Sequence, residues 1–513
     1  MVRASIGLPL DTFILHSALT PTNSSRLITR RNICKAFSFT WANRSLWEFA
    51  SGKILHPSTE SPDLTRFSLY TRRVKYANYR QGVKVHPDLL SFLTSYGINL
   101  ECPAIIPSLL AIRISPAACD RIQLLFGMSR TLRRLNLDLG FNFKTPRIPE
   151  ARISGYLTNI RRMSPDVRHL SVRGALSQES MDAISSMNNL LTLSLRSGSS
   201  LTINTLMALT GFQHLVELEL HAAHLNAGDI PPIFLDTRNL PFLPSLKKLH
   251  MRAQIILLEF FLALLSSESL HTLHLDAHEP KGIPIAWNHL FTSICGTAGN
   301  TLRHLTIERH IELEEPDDSV ADNTVLHPRK GNIQVPFDDI RILVKLSKLR
   351  SLVLDTTLPP DICDDELETL VTSWPELEHL DLGLLSTPGH VRLQARPPMT
   401  SKSLDILACK ALKLATVILT MDLSDITLSP NSTNSIPQRA LTRMTLGCPS
   451  IPGQDMLVPY LHRLYPSLLE IDGLPEHEEI WTGVRVALKD LLPPEVCEIR
   501  GDEGLIAVAN HGT

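Results

Sequence analysis

A six-residue pattern, Leu-x-x-Leu-x-Leu with aliphatic variants, recurs twelve times between residues 109 and 446. No other feature constrains the fold of this chain as much. The copies read LLAIRI (109–114), LRRLNL (132–137), VRHLSV (167–172), LLTLSL (190–195), LVELEL (215–220) and LKKLHM (246–251). They continue as LHTLHL (270–275), LRHLTI (302–307), LRSLVL (349–354), LEHLDL (377–382), LATVIL (414–419) and LTRMTL (441–446). Most starts are 23 to 37 residues apart, and one interval, from 302 to 349, is longer. In x-Leu-x-Leu-x the leucines alternate with polar residues, so each copy predicts a short strand with one buried and one wet face. The first leucine of each copy packs in the preceding bend.

Between the copies lie segments with helical character. They include QIILLEFFLALLSS (254–267), FDDIRILVKLSK beginning at Phe337, and CDDELETLVTSW (363–374). The last two carry acidic residues in the first turn, which suits the positive end of a helix dipole. A strand followed by a helical crossover must pair in parallel with the next strand, and the crossover is right-handed. One such unit cannot bury its own leucines, so stacking is obligatory. The predicted fold class is therefore α/β: a right-handed leucine-rich-repeat solenoid with a parallel concave sheet and helices outside.

Two features predict irregularity. Many leucine-rich repeats place Asn or Cys at the bend after the third leucine. That position here holds Gly140, Ala175, Gly198, Ala223, Gln254, His278 and His310. The arc is accordingly expected to be uneven. Segment 308–336, polar, acidic early and Pro-containing, fills the longest interval and reads as an extruded loop.

Upstream, residues 8–49 resemble an F-box, the three-helix module that docks on the Skp-family adaptor of cullin–RING ubiquitin ligases. The resemblance is carried by Leu8-Pro9, Ile14 and Leu15, Leu19-Thr20-Pro21, Leu27 and Ile28, Ile33-Cys34-Lys35-Ala36-Phe37, and Leu46-Trp47. Asp11 supplies the acidic residue usual after the proline; the Leu-Pro to Cys distance is about two residues longer than the family pattern. Segment 63–79, DLTRFSLYTRRVKYANY, is similar to the stretch that follows the F-box in a large fungal family of F-box/leucine-rich-repeat proteins. The resemblance implies adaptor-binding roles for Leu8, Pro9, Ile14, Leu15, Pro21, Leu27, Ile33, Cys34, Phe37, Leu46 and Trp47. It also implies that the chain is a substrate receptor of an SCF-type ligase, with the Skp-family adaptor and a cullin ligase as partners. Without it, residues 8–49 read as a helical cap over the first repeat, and the chain as a protein-interaction scaffold with no ubiquitin role.

The expected organisation is an F-box-like domain at 1–50, a linker or helical cap at 51–105, the repeat array at 106–475 and a C-terminal helical cap and tail at 476–513. Trp481, Val484, Leu488 and Leu491 in EHEEIWTGVRVALKDL stand at helical spacing, as packing against the last repeat requires.

Chemistry-bearing motifs are absent from the sequence: no GxxxxGK[ST], GxGxxG, HExxH or GxSxG occurs. The expectation is a binding protein that is not an enzyme and needs no cofactor or metal. His271, His274 and His278 do not share one strand face, which argues against a metal site. The eight cysteines show no CxxC and no cluster, as in reduced thiols of an intracellular protein of cytoplasm or nucleus. A net charge of −2 gives no field for nucleic acid. The opening stretch is interrupted by Pro9, Asp11 and His16, unlike a secretory leader, and no apolar run reaches membrane-spanning length.

Candidate binding residues are those flanking the strand leucines. One row reads Asn136, Ser171, Ser194, Glu219, His250, His274, Thr306, Val353 and Asp381. The next reads Asp138, Arg173, Arg196, His221, Arg252, Asp276, Glu308 and Asp355. Arg173, Arg196, Glu219, His221, His250, Arg252, His274 and Asp276 are the candidate partner-binding set, with the basic run suited to an acidic or phosphorylated segment.

Overall fold

A computed structural model describes residues 71–79, 104, 106–114, 128–141, 150–230, 242–266, 268–278, 286–309, 334–356, 358–384, 399–426, 437–448 and 450–491. The chain forms two compact units, one reaching Arg252 with residues 265–267, the other holding Ala253–Leu264 and the residues from 268 onward.

In the first unit the strands are β1 (Tyr76–Tyr79), β2 (Ala111–Ile114), β3 (Arg134–Gly140), β4 (His169–Gly174), β5 (Thr192–Arg196), β6 (Glu217–His221) and β7 (Lys248–Ala253). Each pairs in parallel with the next in chain order. The second unit contains β8 (Thr272–Ala277), β9 (His304–Arg309), β10 (Ser351–Thr356), β11 (His379–Asp381), β12 (Thr416–Thr420), β13 (Arg443–Gly447) and β14 (Glu470–Gly473). These too are parallel and sequential. Every one of the twelve repeat copies yields a strand, and the second and third apolar positions are buried, as Leu135 and Leu137 in β3 or Leu273 and Leu275 in β8. This is the leucine-rich-repeat solenoid architecture.

One backbone device recurs along the ladder of each unit. The carbonyl just before a strand accepts two successive N–H groups from the following repeat. Leu110 O takes Arg133 N (2.8 Å) and Arg134 N (3.0 Å); Arg303 O takes Arg350 N (2.7 Å) and Ser351 N (2.9 Å). The bend that precedes the strand is thereby tied to its neighbour, which sets the register.

Helices return the chain between strands and bury an apolar stripe. The helix Gln178–Ser185 is capped by Ser177, whose side chain accepts from Ser180 N. In Asp364–Ser373 the Glu366 carboxylate accepts from Cys363 N at 2.8 Å. Asp364 reaches forward to the next helix, Ser401–Lys410, accepting from Thr400 N (2.9 Å) and Thr400 Oγ1 (2.8 Å). Partial burial works against the Asp364 charge, but donors on Ser403 and Thr400 outweigh it and hold the carboxyl below its ordinary range.

Several expectations change against the structure. The segment beginning at Phe337 is one α-helical turn, Phe337–Ile340, followed by a 3₁₀ stretch, Arg341–Lys345. Ile340 and Leu343, three residues apart, are both buried, and a three-residue turn keeps them on one side. Glu308 and Arg309, expected to open an extruded loop, instead complete β9. Arg309 is drawn inward, its guanidinium 5.7 Å from the Trp287 ring centroid, and residues 310–333 lie outside the described set. Strand β1 falls inside the 51–105 stretch expected to be linker or cap.

The bends also differ. Gly140 and Gly198 take positive φ, as do Gly174 and Gly383. Asp138 Oδ1 accepts from Gly140 N at 3.2 Å and Asp381 Oδ1 from Gly383 N at 2.9 Å. A short aspartate loop at the strand end thus satisfies the turning backbone where other repeats use asparagine.

The C-terminal helix, Glu478–Leu491, buries Trp481, Val484 and Leu488. Leu491, expected on the same stripe, is 48% exposed, since it is the last helical residue and extends beyond the packed turn. The Trp481 indole lies over Gly473 of β14, where a Cβ would come within 1.9 Å of Nε1. Only glycine leaves room for that ring.

Candidate functional site

The strand residues that alternate with the buried leucines form the polar face of each unit. In the first unit the register aligns Asn136, Ser171, Ser194, Glu219 and His250. Beside them Asp138 pairs with Arg173, Arg173 with Arg196, and His221 with Arg252. The alternation of the repeat puts these side chains on one surface.

Glu219 is the centre of this face. Ser194 Oγ donates to its Oε2 at 2.6 Å and Arg196 Nε to its Oε1 at 2.7 Å, with Arg196 Nη2 at 2.5 Å. His221 Nε2 and His250 Nδ1 each lie 3.5 Å from Oε1, and the two imidazoles meet edge to face at 5.9 Å. Burial opposes the Glu219 charge, yet the donors on His221, Ser194 and Arg196 prevail and bring its pKa down to about 2. Four of the candidate residues therefore converge: Arg196, Glu219, His221 and His250.

The arginine run is less purely basic than its sequence reads. Arg173 lies 3.5 Å from Asp138 and covers the Phe141 ring at 5.7 Å, while Arg196 is committed to Glu219. Both remain about half exposed, at 57% and 47% of the side chain. Arg252 is half-buried on β7.

In the second unit one row of the face is acidic across β8–β10. Asp276, Glu308 and Asp355 are in register on β8, β9 and β10. His274 Nε2 sits 2.9 Å from Glu308 Oε1. Asp381 on β11 is half-buried, and that burial raises its pKa. His271 and His278 flank β8 outside its limits.

The eleven F-box-like positions, Leu8 to Trp47, lie outside the described residues. Of the cysteines, Cys295, Cys363, Cys409 and Cys448 are free thiols, and burial pushes Cys448 up to about 12. Among the described residues, no helix is long and apolar enough to cross a membrane.

A group absent from the expected set appears on β1–β3. Tyr76, Asn78, Arg113 and Arg134, with Asn136, line an open pocket of about 280 Å³ floored by Ala77, Ala111 and Ile112. Strand β1 escapes a search for leucines because its three apolar positions are Val74, Ala77 and Tyr79. Arg113 occupies the same repeat offset as Glu219, and that offset alone could have found it.

No family model matches the sequence, and no curated protein matches it. Among solved structures the chain is similar to a yeast Rad7–Elc1 complex, at 16% identity and TM-score 0.39, over 76% of this chain and 83% of that one. It is also similar to the leucine-rich-repeat-containing protein LegL7 from Legionella pneumophila, at 12% identity and TM-score 0.31, over 80% and 98%. The class stated for the fold, a leucine-rich-repeat solenoid, stands on the ladder and repeat of this chain itself.

Proposed function

We propose that the chain is a substrate receptor of an SCF-type ubiquitin ligase. Residues 8–49 hold the Skp-family adaptor, and the polar strand faces hold a target protein inside the cell. The observation that carries this reading is the F-box-like pattern from Leu8-Pro9 to Leu46-Trp47 placed ahead of a repeat array. The array supports it physically. Parallel strands about 4.8 Å apart present rows of fixed polar side chains, a surface on which an extended segment or a protein edge can be read. The mechanism is proximity: the receptor contributes no catalytic group and brings its target near a ubiquitin-charged enzyme.

The test is co-purification with the adaptor. The wild-type chain is expected to co-elute with it, and a variant altered at Leu8, Pro9 and Trp47 is not. A wild-type chain that elutes alone rejects the ligase assignment and leaves a repeat scaffold whose amino-terminal residues cap the first strands.

A further inference from the structure

We infer that the pocket on β1–β3 binds a phosphorylated side chain of a partner protein. The inference rests on the reading of the strand face as a protein-binding surface. It concerns a site distinct from the Glu219 cluster.

The pocket exists because of side-chain sizes in register. Tyr76, Ala111 and Arg134 are aligned across the three strands, as are Asn78, Arg113 and Asn136. The methyl of Ala111 between a phenol and a guanidinium leaves a hollow about two strand spacings, roughly 10 Å, across. Tyr76 is 52% exposed on its wall, a large aromatic that β1 holds in solvent.

Charge selects the ligand. Arg113 and Arg134 are both exposed, and neither side chain makes an ion pair or hydrogen bond among the described residues. Arg173 and Arg196 on the same strand face are paired with Asp138 and Glu219, whereas Arg113 and Arg134 stand uncompensated at this pocket. Two guanidinium groups match the charge of a phosphate monoester, about −1.5 to −2 at neutral pH, where a carboxylate neutralises only one. The mostly apolar floor and the Tyr76 ring accept the stem that carries the phosphate.

A third observation fits a peptide ligand. Asn78 Oδ1 is buried at the pocket with no hydrogen-bond partner among the described residues, and a buried acceptor without a donor is costly. A backbone N–H of an extended segment would supply that donor.

The test uses the full chain and fluorescein-labelled nonapeptide pools with degenerate flanks and a central phosphotyrosine, phosphothreonine, glutamate or unmodified tyrosine. A phosphorylated pool is expected to bind at least tenfold more tightly than the glutamate and unmodified pools. Arg113→Ala with Arg134→Ala should lose that preference. So should Ala111→Phe, which fills the hollow from a solvent-facing position and leaves the melting curve unchanged. Arg161→Ala, an exposed cation on the helix Glu150–Met163 away from the strand face, should stay within twofold of wild type.

Equal binding of all pools, or undiminished binding by Ala111→Phe, overturns the proposal. Competition by inorganic phosphate as strong as that by phosphopeptide also overturns it, leaving a simple anion site. Adaptor co-elution, scored on the same variants, separates the two readings. A chain that keeps the adaptor but ignores phosphopeptides rejects the pocket alone. One that binds phosphopeptides without the adaptor rejects the ligase assignment alone.

Discussion

Gly473→Ala is the most discriminating single change in this structure. An added Cβ would lie 1.9 Å from Trp481 Nε1 and 2.2 Å from Cε2, well inside contact distance. The backbone of Gly473 does not adopt positive φ, so alanine is acceptable there and the whole effect is steric. Overpacking costs about 1–3 kcal/mol if the ring shifts. Expulsion of a fully buried indole approaches the about 3–5 kcal/mol of a Trp→Ala truncation. Restriction of the unfolded chain by alanine returns about 0.4–1 kcal/mol. The net expectation is a loss of about 2–4 kcal/mol, concentrated at the carboxy-terminal end, because each repeat contacts only its neighbours.

Hydrogen exchange over 478–491 reads that local stability directly. The decisive measurement is the double-mutant cycle. In a Trp481→Ala background, Gly473→Ala should cost nearly nothing, since the atoms it strikes are gone. Equal costs in the two backgrounds, or unchanged protection of 478–491 in Gly473→Ala, would refute the packing argument.

Three other outcomes follow from particular contacts. Gln438 is buried and satisfies three backbone groups: its Nε2 donates to Ala411 O (3.1 Å) and Leu414 O (2.8 Å), and its Oε1 accepts from Leu441 N (2.8 Å). Gln438→Leu strands Leu414 O and Leu441 N, while Ala411 O keeps the N–H of Leu414, and should cost about 2–3 kcal/mol by urea unfolding; a cost under about 1 kcal/mol would contradict the role. Trp374→Phe removes the indole N–H donated to Leu343 O at 3.1 Å in a buried contact, and a loss of about 1–2 kcal/mol is expected in the same assay.

Glu219 supplies the pH prediction. Its pKa is about 2 in the folded state against an ordinary 4.5, so its stabilisation is complete above about 4.5 and is lost as pH falls toward 2. The linkage limit is about 3 kcal/mol, and solvent screening of a partly exposed group reduces this to about 1–2 kcal/mol. Glu219→Gln should flatten the acid limb of the stability curve by that amount, measured as urea midpoint from pH 6 to pH 2.5. An unchanged slope would show that the cluster does not hold its charge.

The legibility of this chain divides along the range of the interactions. Twelve strands could be read directly, because three apolar positions at offsets one, four and six report a bend and a half-buried strand within six residues. Strands β1 and β14 could not. In β14 the third position is Gly473, and its lack of a side chain answers to Trp481, which arrives from the following helix. In β1 the small Ala77 and the aromatic Tyr79 hide the same offsets. The 3₁₀ stretch after Ile340 puts Ile340 and Leu343 on one buried side, whereas the acidic first turn of the segment suits a longer α-helix.

The same division holds for the candidate site. Alternation alone placed Arg173, Arg196, Glu219, His221 and His250 on the wet face, since a strand has only two sides. Their chemistry was decided by pairing across repeats. Arg196 meets Glu219 only when residues 23 apart come into register, and that turns a basic run into a neutralised cluster. The β1–β3 pocket is decided at the same level. It is the absence of bulk at Ala111 between Tyr76 and Arg134, and three residues 23 to 35 positions apart define a hollow only once their strands lie side by side. The chain alone determined that it coils into parallel repeats and which side chains face solvent, because both depend on local periodicity. Which charges cancel, where a cavity opens and which strand ends must be glycine were settled by stacking, because each depends on a neighbour that is distant in the chain.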